Sequence, residues 1–250
     1  AEAADPPLHV VPADNVAVCF APMSRCLKHP LAPDVTCERA NAAYARLVQR
    51  WREITSNALY LFCYLMQIHR LSLPYPITHM LPAELAWQAQ VGVDGYVAEF
   101  VPEEWGTFGV NAHLMARLSW EPDLDLEDWL QRHCQHLYGP AAADMCAYLQ
   151  ALEQAIRVDG PCTGHYDYRF TLRATEELMR PVLEPLGRAR ALAATGEKRH
   201  WQATQQAALA AQLLLRVGQW QRLVRAGAAE RADQVRQELL AWVLAHADRG

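Results

Sequence analysis

Ala58-Leu59-Tyr60-Leu61-Phe62-Cys63-Tyr64-Leu65-Met66 is the longest uninterrupted apolar run in the chain. A short run with no polar alternation is the pattern of a parallel strand buried on both faces. It is far shorter than the roughly 20 residues that a membrane-spanning helix needs. Two further runs flank it. Val16-Ala17-Val18-Cys19-Phe20-Ala21 lies upstream between Asp14-Asn15 and Pro22, and Gly95-Tyr96-Val97-Ala98-Glu99-Phe100 lies downstream after Val91-Gly92-Val93. The segments between them carry helical periodicity. Residues 38–55 place Ala42, Trp51 and Ile54 near one face, and residues 82–90 begin with Pro82, which suits a first helical turn. Residues 107–118 repeat Val110, Leu114 and Leu118 at intervals of four. The strands start at 16, 59 and 95, intervals that suit βα units joined by crossover helices.

Beyond Pro122 the pattern is helical only. Asp125 is read as an N-cap for a helix with Glu127 and Asp128 in its first turn, ending near Tyr138-Gly139-Pro140. Met145, Leu149, Leu152 and Ile156 stripe the next helix, residues 157–171 read as a polar loop, and the rest is rich in Ala, Leu and Arg. Leu209, Leu213, Val217, Trp220 and Val224 form a stripe expected of a helical bundle core. The reading divides the chain into residues 1–121, alternating strand and helix, and residues 122–250, all helix.

Composition narrows the function. Of 250 residues, 52% are hydrophobic and 20% charged, which supports a buried core and excludes wholesale disorder. The net charge of −5 argues against a general nucleic-acid binder, which would show a basic stripe. The charge is uneven: residues 1–168 hold 10 Lys+Arg against 20 Asp+Glu, and residues 169–250 hold 13 against 8. The seven cysteines form no Cys-x-x-Cys pair and no regular spacing, so no disulfide framework is read from them. Cys26 and Cys37 are read as a disulfide if the protein is exported and as a buried thiol pair otherwise. Compartment stays open, with export or a periplasmic location among the expectations. His133-Cys134-x-His136 lacks a second ligand pair at zinc-finger spacing and is read as part of a helix. A nucleophile pair of Cys26 and His29 lacks an orienting third group. No GxGxxG, Walker A or HExxH pattern occurs. Neither a metal nor an organic cofactor is expected.

A string of short segments carries a resemblance. It runs through Pro6-Pro7, Asp14-Asn15-Val16, Cys26-Leu27-Lys28-His29-Pro30-Leu31, Cys37 with Asn41, and Leu59-Tyr60 with Tyr64. It continues through Pro74-Tyr75-Pro76, Gly92-Val93-x-Gly95 leading to Glu99, Leu118-Ser119-Trp120-x-Pro122-Asp123, and Tyr138-Gly139-Pro140-Ala141 with Met145. Together these resemble the domain of unknown function family 4838, whose members look like glycoside hydrolases of the α-glucuronidase type. The resemblance implies that residues 1–121 are the last βα units of a (β/α)8 barrel and that 122–250 form an α-helical domain. On that picture the first half of the barrel would come from upstream sequence or a partner chain. One departure is visible. Where the family resembles Trp-Asp-Tyr at the end of the second strand, this chain has Phe62-Cys63-Tyr64, a thiol in place of a carboxylate.

Reactive groups of a barrel stand at the carboxyl ends of its strands. That rule selects Arg25, Cys26 and His29 after the first strand, Tyr64 and His69 after the second, and Glu99, Glu103, Glu104 and Trp105 after the third. Glycoside hydrolysis uses two carboxyl groups, and Glu99 is the expected catalytic one. Arg25 is the candidate fork for a uronic acid carboxylate, and Trp105 the candidate stacking platform for a sugar. His29, Tyr64 and His69 are the candidate hydroxyl partners. The implied function is hydrolysis of a glycan, including one that carries a uronic acid. The alternatives are a non-catalytic glycan-binding barrel and a helical assembly protein acting through residues 175–248.

Overall fold

The computed structural model describes residues 5–37, 41–65, 73–99, 105–157, 162, 164 and 169–246. Three strands, β1 (Val18–Phe20), β2 (Leu59–Tyr64) and β3 (Gly95–Glu99), lie parallel in the order β1-β2-β3. Val18 faces Leu59 across the first ladder, and Tyr60 faces Gly95 across the second, which ends with Tyr64 opposite Glu99. Helix α1 (Asn41–Ile54) links β1 to β2, and α2 (Leu81–Val91) links β2 to β3. Helix α3 (Trp105–Trp120) follows β3.

The register of β2 explains why it is central. Leu59, Leu61 and Cys63 point inward and are almost wholly buried, whereas Tyr60 and Phe62 on the other face are half-buried. Burying each such leucine contributes about 1.5–3 kcal/mol. Strand β3 is less covered: Val97 is 46% exposed, and among the described residues β3 pairs with β2 alone and forms an edge. Asp94 fixes its entry. Its carboxylate accepts from the Leu59 amide (2.9 Å) and from Arg52 of α1 (3.2 Å), while Arg52 also reaches the carbonyls of Asn57 (2.7 Å) and Gly92 (3.2 Å). Gly92 closes α2 in the left-handed region at φ 85°, a conformation that costs a glycine nothing sterically.

The barrel expectation is corrected by this topology. The described residues are mostly helical, and their sheet has three strands with two open edges. Closing a barrel takes about eight tilted and staggered strands. The local sequence pattern specified three βα steps, and those three form. The extension to (β/α)8 rested on the resemblance, and no physical signal in residues 1–121 carried it.

The remaining helices are α4 (Leu126–Tyr138), α5 (Ala142–Arg157), α6 (Arg169–Arg173), α7 (Glu176–Ala193), α8 (Lys198–Arg225) and α9 (Ala229–His246). Asp125 caps α4 by accepting from the Asp128 amide at 2.8 Å, as its sequence position predicts. Thr175 caps α7 in the same way. A single apolar core runs from Leu59 and Leu61 through Leu114 and Trp129 to Met145, Leu152, Ala189 and Leu214. Glu153 of α5 adds a polar tie by accepting from Thr78 Oγ1 (2.8 Å) and His79 Nδ1 (2.9 Å) ahead of α2. Gly218 lets α8 pass close to the α6–α7 junction: a Cβ there would lie 2.5 Å from the Thr171 carbonyl oxygen. One turn later Arg222 donates to the carbonyls of Leu172 (3.2 Å) and Ala174 (3.0 Å). Among the described residues no helix is long and apolar enough to cross a membrane.

Candidate functional site

The carboxyl edge of the parallel sheet is where the chain gathers reactive side chains. Arg25 follows β1 and is 5% exposed. Both of its terminal nitrogens donate to the carboxylate of Glu84, which α2 presents from a fully buried position. Glu84 also accepts from the Leu31 amide (2.8 Å) and from Gln88 Nε2 (3.2 Å). Burial opposes the charge on Arg25, but Glu84 more than offsets this and holds the guanidinium firmly protonated. The carboxylate that Arg25 forks in this structure is therefore one supplied by the protein.

Tyr64 and Glu99 meet at the last rung of the β2–β3 ladder. Tyr64 is 8% exposed with its ring 5.1 Å from that of Phe62, and Glu99 is half-buried. Beside them Cys63 is buried, and its thiol is pushed up to about 12 by desolvation first and by the nearby Glu84 charge second. It is a neutral thiol at ordinary pH and cannot replace the carboxylate that the family resemblance places there. His69, Glu103 and Glu104 lie outside the described residues.

Trp105 stands elsewhere. It begins α3, is 46% exposed, and its indole lies against Gly109, where any Cβ would come within 2.7 Å of the ring. It opens a groove of about 440 Å³ lined also by His113, Trp129, Arg132, His133 and His136. Trp129 and His133 stack at 5.1 Å and 22°. His113 and His133 share a hydrogen bond between their Nδ1 atoms at 2.9 Å. Burial, then the neighbouring His113 and His136, lowers His133 to about 4. A second groove beside β3, lined by Leu85, Ala89, Tyr96, Met115 and Trp120, is mostly apolar, with Asp94, Ser119 and the Tyr96 hydroxyl as its polar side chains.

His29 turns toward sulfur. Its Nδ1 lies 3.4 Å from Cys26 Sγ and 3.6 Å from Cys162 Sγ, and Cys162 Sγ is 3.4 Å from Cys37 Sγ. The donor atoms of Cys26, His29, Cys37 and Cys162 all lie within 4.8 Å of one another. All seven cysteines are thiols. Asn41, fully buried at the start of α1, organises this loop. Its Oδ1 accepts from the Cys26 amide (2.6 Å), and its Nδ2 donates to the carbonyls of Cys26 (3.2 Å), His29 (2.9 Å) and Pro30 (3.1 Å).

The candidates from sequence thus fall into three places: Tyr64 with Glu99 at the sheet edge, Arg25 and His29 in the loop after β1, and Trp105 in the α3–α4 groove. Sequence reasoning missed Glu84, the role of Asn41, the meeting of Cys37 with Cys162, and the His113–Trp129–His133 ring cluster. One local signal existed, the Cys26-x-x-His29 spacing, which pairs two metal-type donors on one turn. A family model described as "Domain of unknown function (DUF4838)" matches residues 1–150. No curated protein and no solved structure matches the chain.

Proposed function

The chain belongs to the DUF4838 family, and we propose that it recognises a carbohydrate through the groove opened by Trp105. The observation that carries this reading is an exposed indole lining a groove together with Trp129, Leu137, three histidines and two arginines. A flat apolar ring complements the C–H face of a pyranose, and Arg117 and Arg132 supply cations for an acidic sugar. Both arginines are exposed, with partners one turn away on their own helices, Glu121 and Asp128. Such solvated pairs hold little energy and can be exchanged for a ligand carboxylate. Two-carboxylate hydrolysis has weaker support, since of the two glutamates described at the sheet edge Glu84 is committed to Arg25, which leaves Glu99 alone.

The test is a titration of the full chain with neutral and uronic-acid oligosaccharides, followed by tryptophan fluorescence. Uronic-acid oligosaccharides are expected to bind, Trp105→Ala to weaken binding at least tenfold, and Glu99→Gln to leave it unchanged. Binding that ignores Trp105→Ala, or no binding of any oligosaccharide, defeats the reading. Release of sugar from an aryl uronoside that stops with Glu99→Gln would replace recognition by hydrolysis.

A further inference from the structure

We propose that Cys26, His29, Cys37 and Cys162 form a structural zinc site that ties the loop after β1 to the segment following α5. In a tetrahedral zinc site with Zn–S near 2.3 Å and Zn–N near 2.05 Å, neighbouring donors stand about 3.6 Å apart for sulfur and nitrogen and about 3.8 Å for two sulfurs. The chain holds its donors at 3.4 and 3.6 Å for the two sulfur–nitrogen edges and 3.4 Å for the Cys37–Cys162 edge. Three of the six edges thus lie within about 0.4 Å of the tetrahedral values, and the other three fall below 4.8 Å. The sulfurs are far beyond the roughly 2.05 Å of a disulfide.

Chemistry selects the ion. Three thiolates and one imidazole are borderline-soft donors, and in tetrahedral array they suit zinc(II). Four protein donors fill its coordination shell and leave no position for substrate, which makes the role structural. The surroundings are those of a ligand shell. The Lys28 amide donates to Cys26 Sγ at 3.2 Å, the kind of contact that stabilises a metal-bound thiolate. Asn41 holds the backbone of the Cys-x-x-His turn through four hydrogen bonds. A bridge between Cys26 and Gly164 seats the segment carrying Cys162.

The consequence is architectural. Two donors come from the turn after β1, one from residue 37 ahead of α1, and one from a segment 125 residues further on. The ion fastens these separate stretches beside the Arg25–Glu84 pair. The proposal is independent of the carbohydrate reading and survives its failure.

Full-length reduced chain, purified without added metal, is assayed by elemental analysis and then loaded with Co(II) as a spectroscopic substitute. One equivalent of zinc per chain is expected. The cobalt form should show the intense visible bands of a tetrahedral ion and near-ultraviolet thiolate charge transfer. Cys37→Ser should lose at least tenfold in affinity, Asn41→Ala should lose about 10- to 100-fold as an outer-shell change, and Cys19→Ser should match the parent. Because a ligand variant can fail to fold, the unmutated chain provides the second measurement, alkylation mapped by mass spectrometry with and without chelator. Cys26, Cys37 and Cys162 should be protected until zinc is removed, whereas exposed Cys19 should react throughout. A chain that binds no zinc after reduction, octahedral cobalt bands, or an alkylation pattern unchanged by the chelator would each overturn the assignment.

Discussion

Among the described residues, two buried polar regions are built on opposite principles. The loop after β1 buries a charge pair, Arg25 and Glu84, and an amide, Asn41, and satisfies them with directional hydrogen bonds from several segments. The α4–α5–α8 region buries His133, Cys134, Tyr138, Tyr148 and His200. Burial pushes the Tyr138 and Tyr148 hydroxyls up and His133 down, while the bond to Cys146 holds Cys134 as a thiol. There His133 Nε2, Tyr148 Oη and both ring nitrogens of His200 find no partner among the described residues. A loop has no backbone ladder to lean on and must be assembled from side-chain bonds. A packed helical layer already has its backbone satisfied, and apolar contact can carry a few uncompensated polar atoms at about 1–3 kcal/mol each.

The contrast breaks most visibly at Glu84. Glu84→Gln leaves the Arg25 charge buried without its partner, and a loss of about 3–5 kcal/mol is expected in urea denaturation. Replacing both residues by leucine or methionine should recover most of that loss. A single variant that costs under about 1 kcal/mol would mean that the loop is wetter than its geometry indicates.

The helical region answers to pH instead. His133 sits at about 4 in the folded chain against an ordinary 6.5, so between those values the unfolded chain takes up the proton that the folded one refuses. Its contribution is complete above pH 6.5 and is lost as pH falls toward 4, about 3 kcal/mol over the whole window. Urea midpoints measured at pH 7 and pH 4.5 should separate, and His133→Phe should narrow the gap. Equal gaps in parent and variant would place the acid sensitivity elsewhere. The smallest effect is expected at Asp125→Ala, which removes the α4 cap and costs about 1 kcal/mol at either pH. A larger loss there would show that the helical region also depends on directional bonds.

What was legible in the sequence follows the same division. The run from Leu59 to Leu65 announced β2 because one buried and one half-buried face leave no polar residue in the run, and Asp125 announced α4 because a cap acts within three residues. The Arg25 partner is 59 residues away, and Cys37 meets Cys162 across 125. No local period encodes such meetings. Arg25 therefore reads from sequence as a cation open to a substrate carboxylate or to a structural salt bridge, and the structure pairs it with Glu84. The sulfur cluster was partly visible: Cys26 and His29 share one turn and Cys37 reads as a partner of Cys26, but only the folded chain brings up Cys162. The barrel went wrong for a different reason, since resemblance supplied strands that the local pattern did not contain.

Gly218 has a mechanical consequence. Helix α8 is 28 residues long, a rod of about 42 Å, and it crosses the α6–α7 junction where a methyl group has no room. Twelve residues earlier the same rod meets α3 at Gly106, whose missing side chain lies 3.0 Å from Gln206 and adjoins Trp105. The crossing is a fulcrum with the aromatic groove on one arm. Gly218→Ala would tilt the rod, and the disturbance would be felt about 18 Å away at the place where the indole opens to solvent.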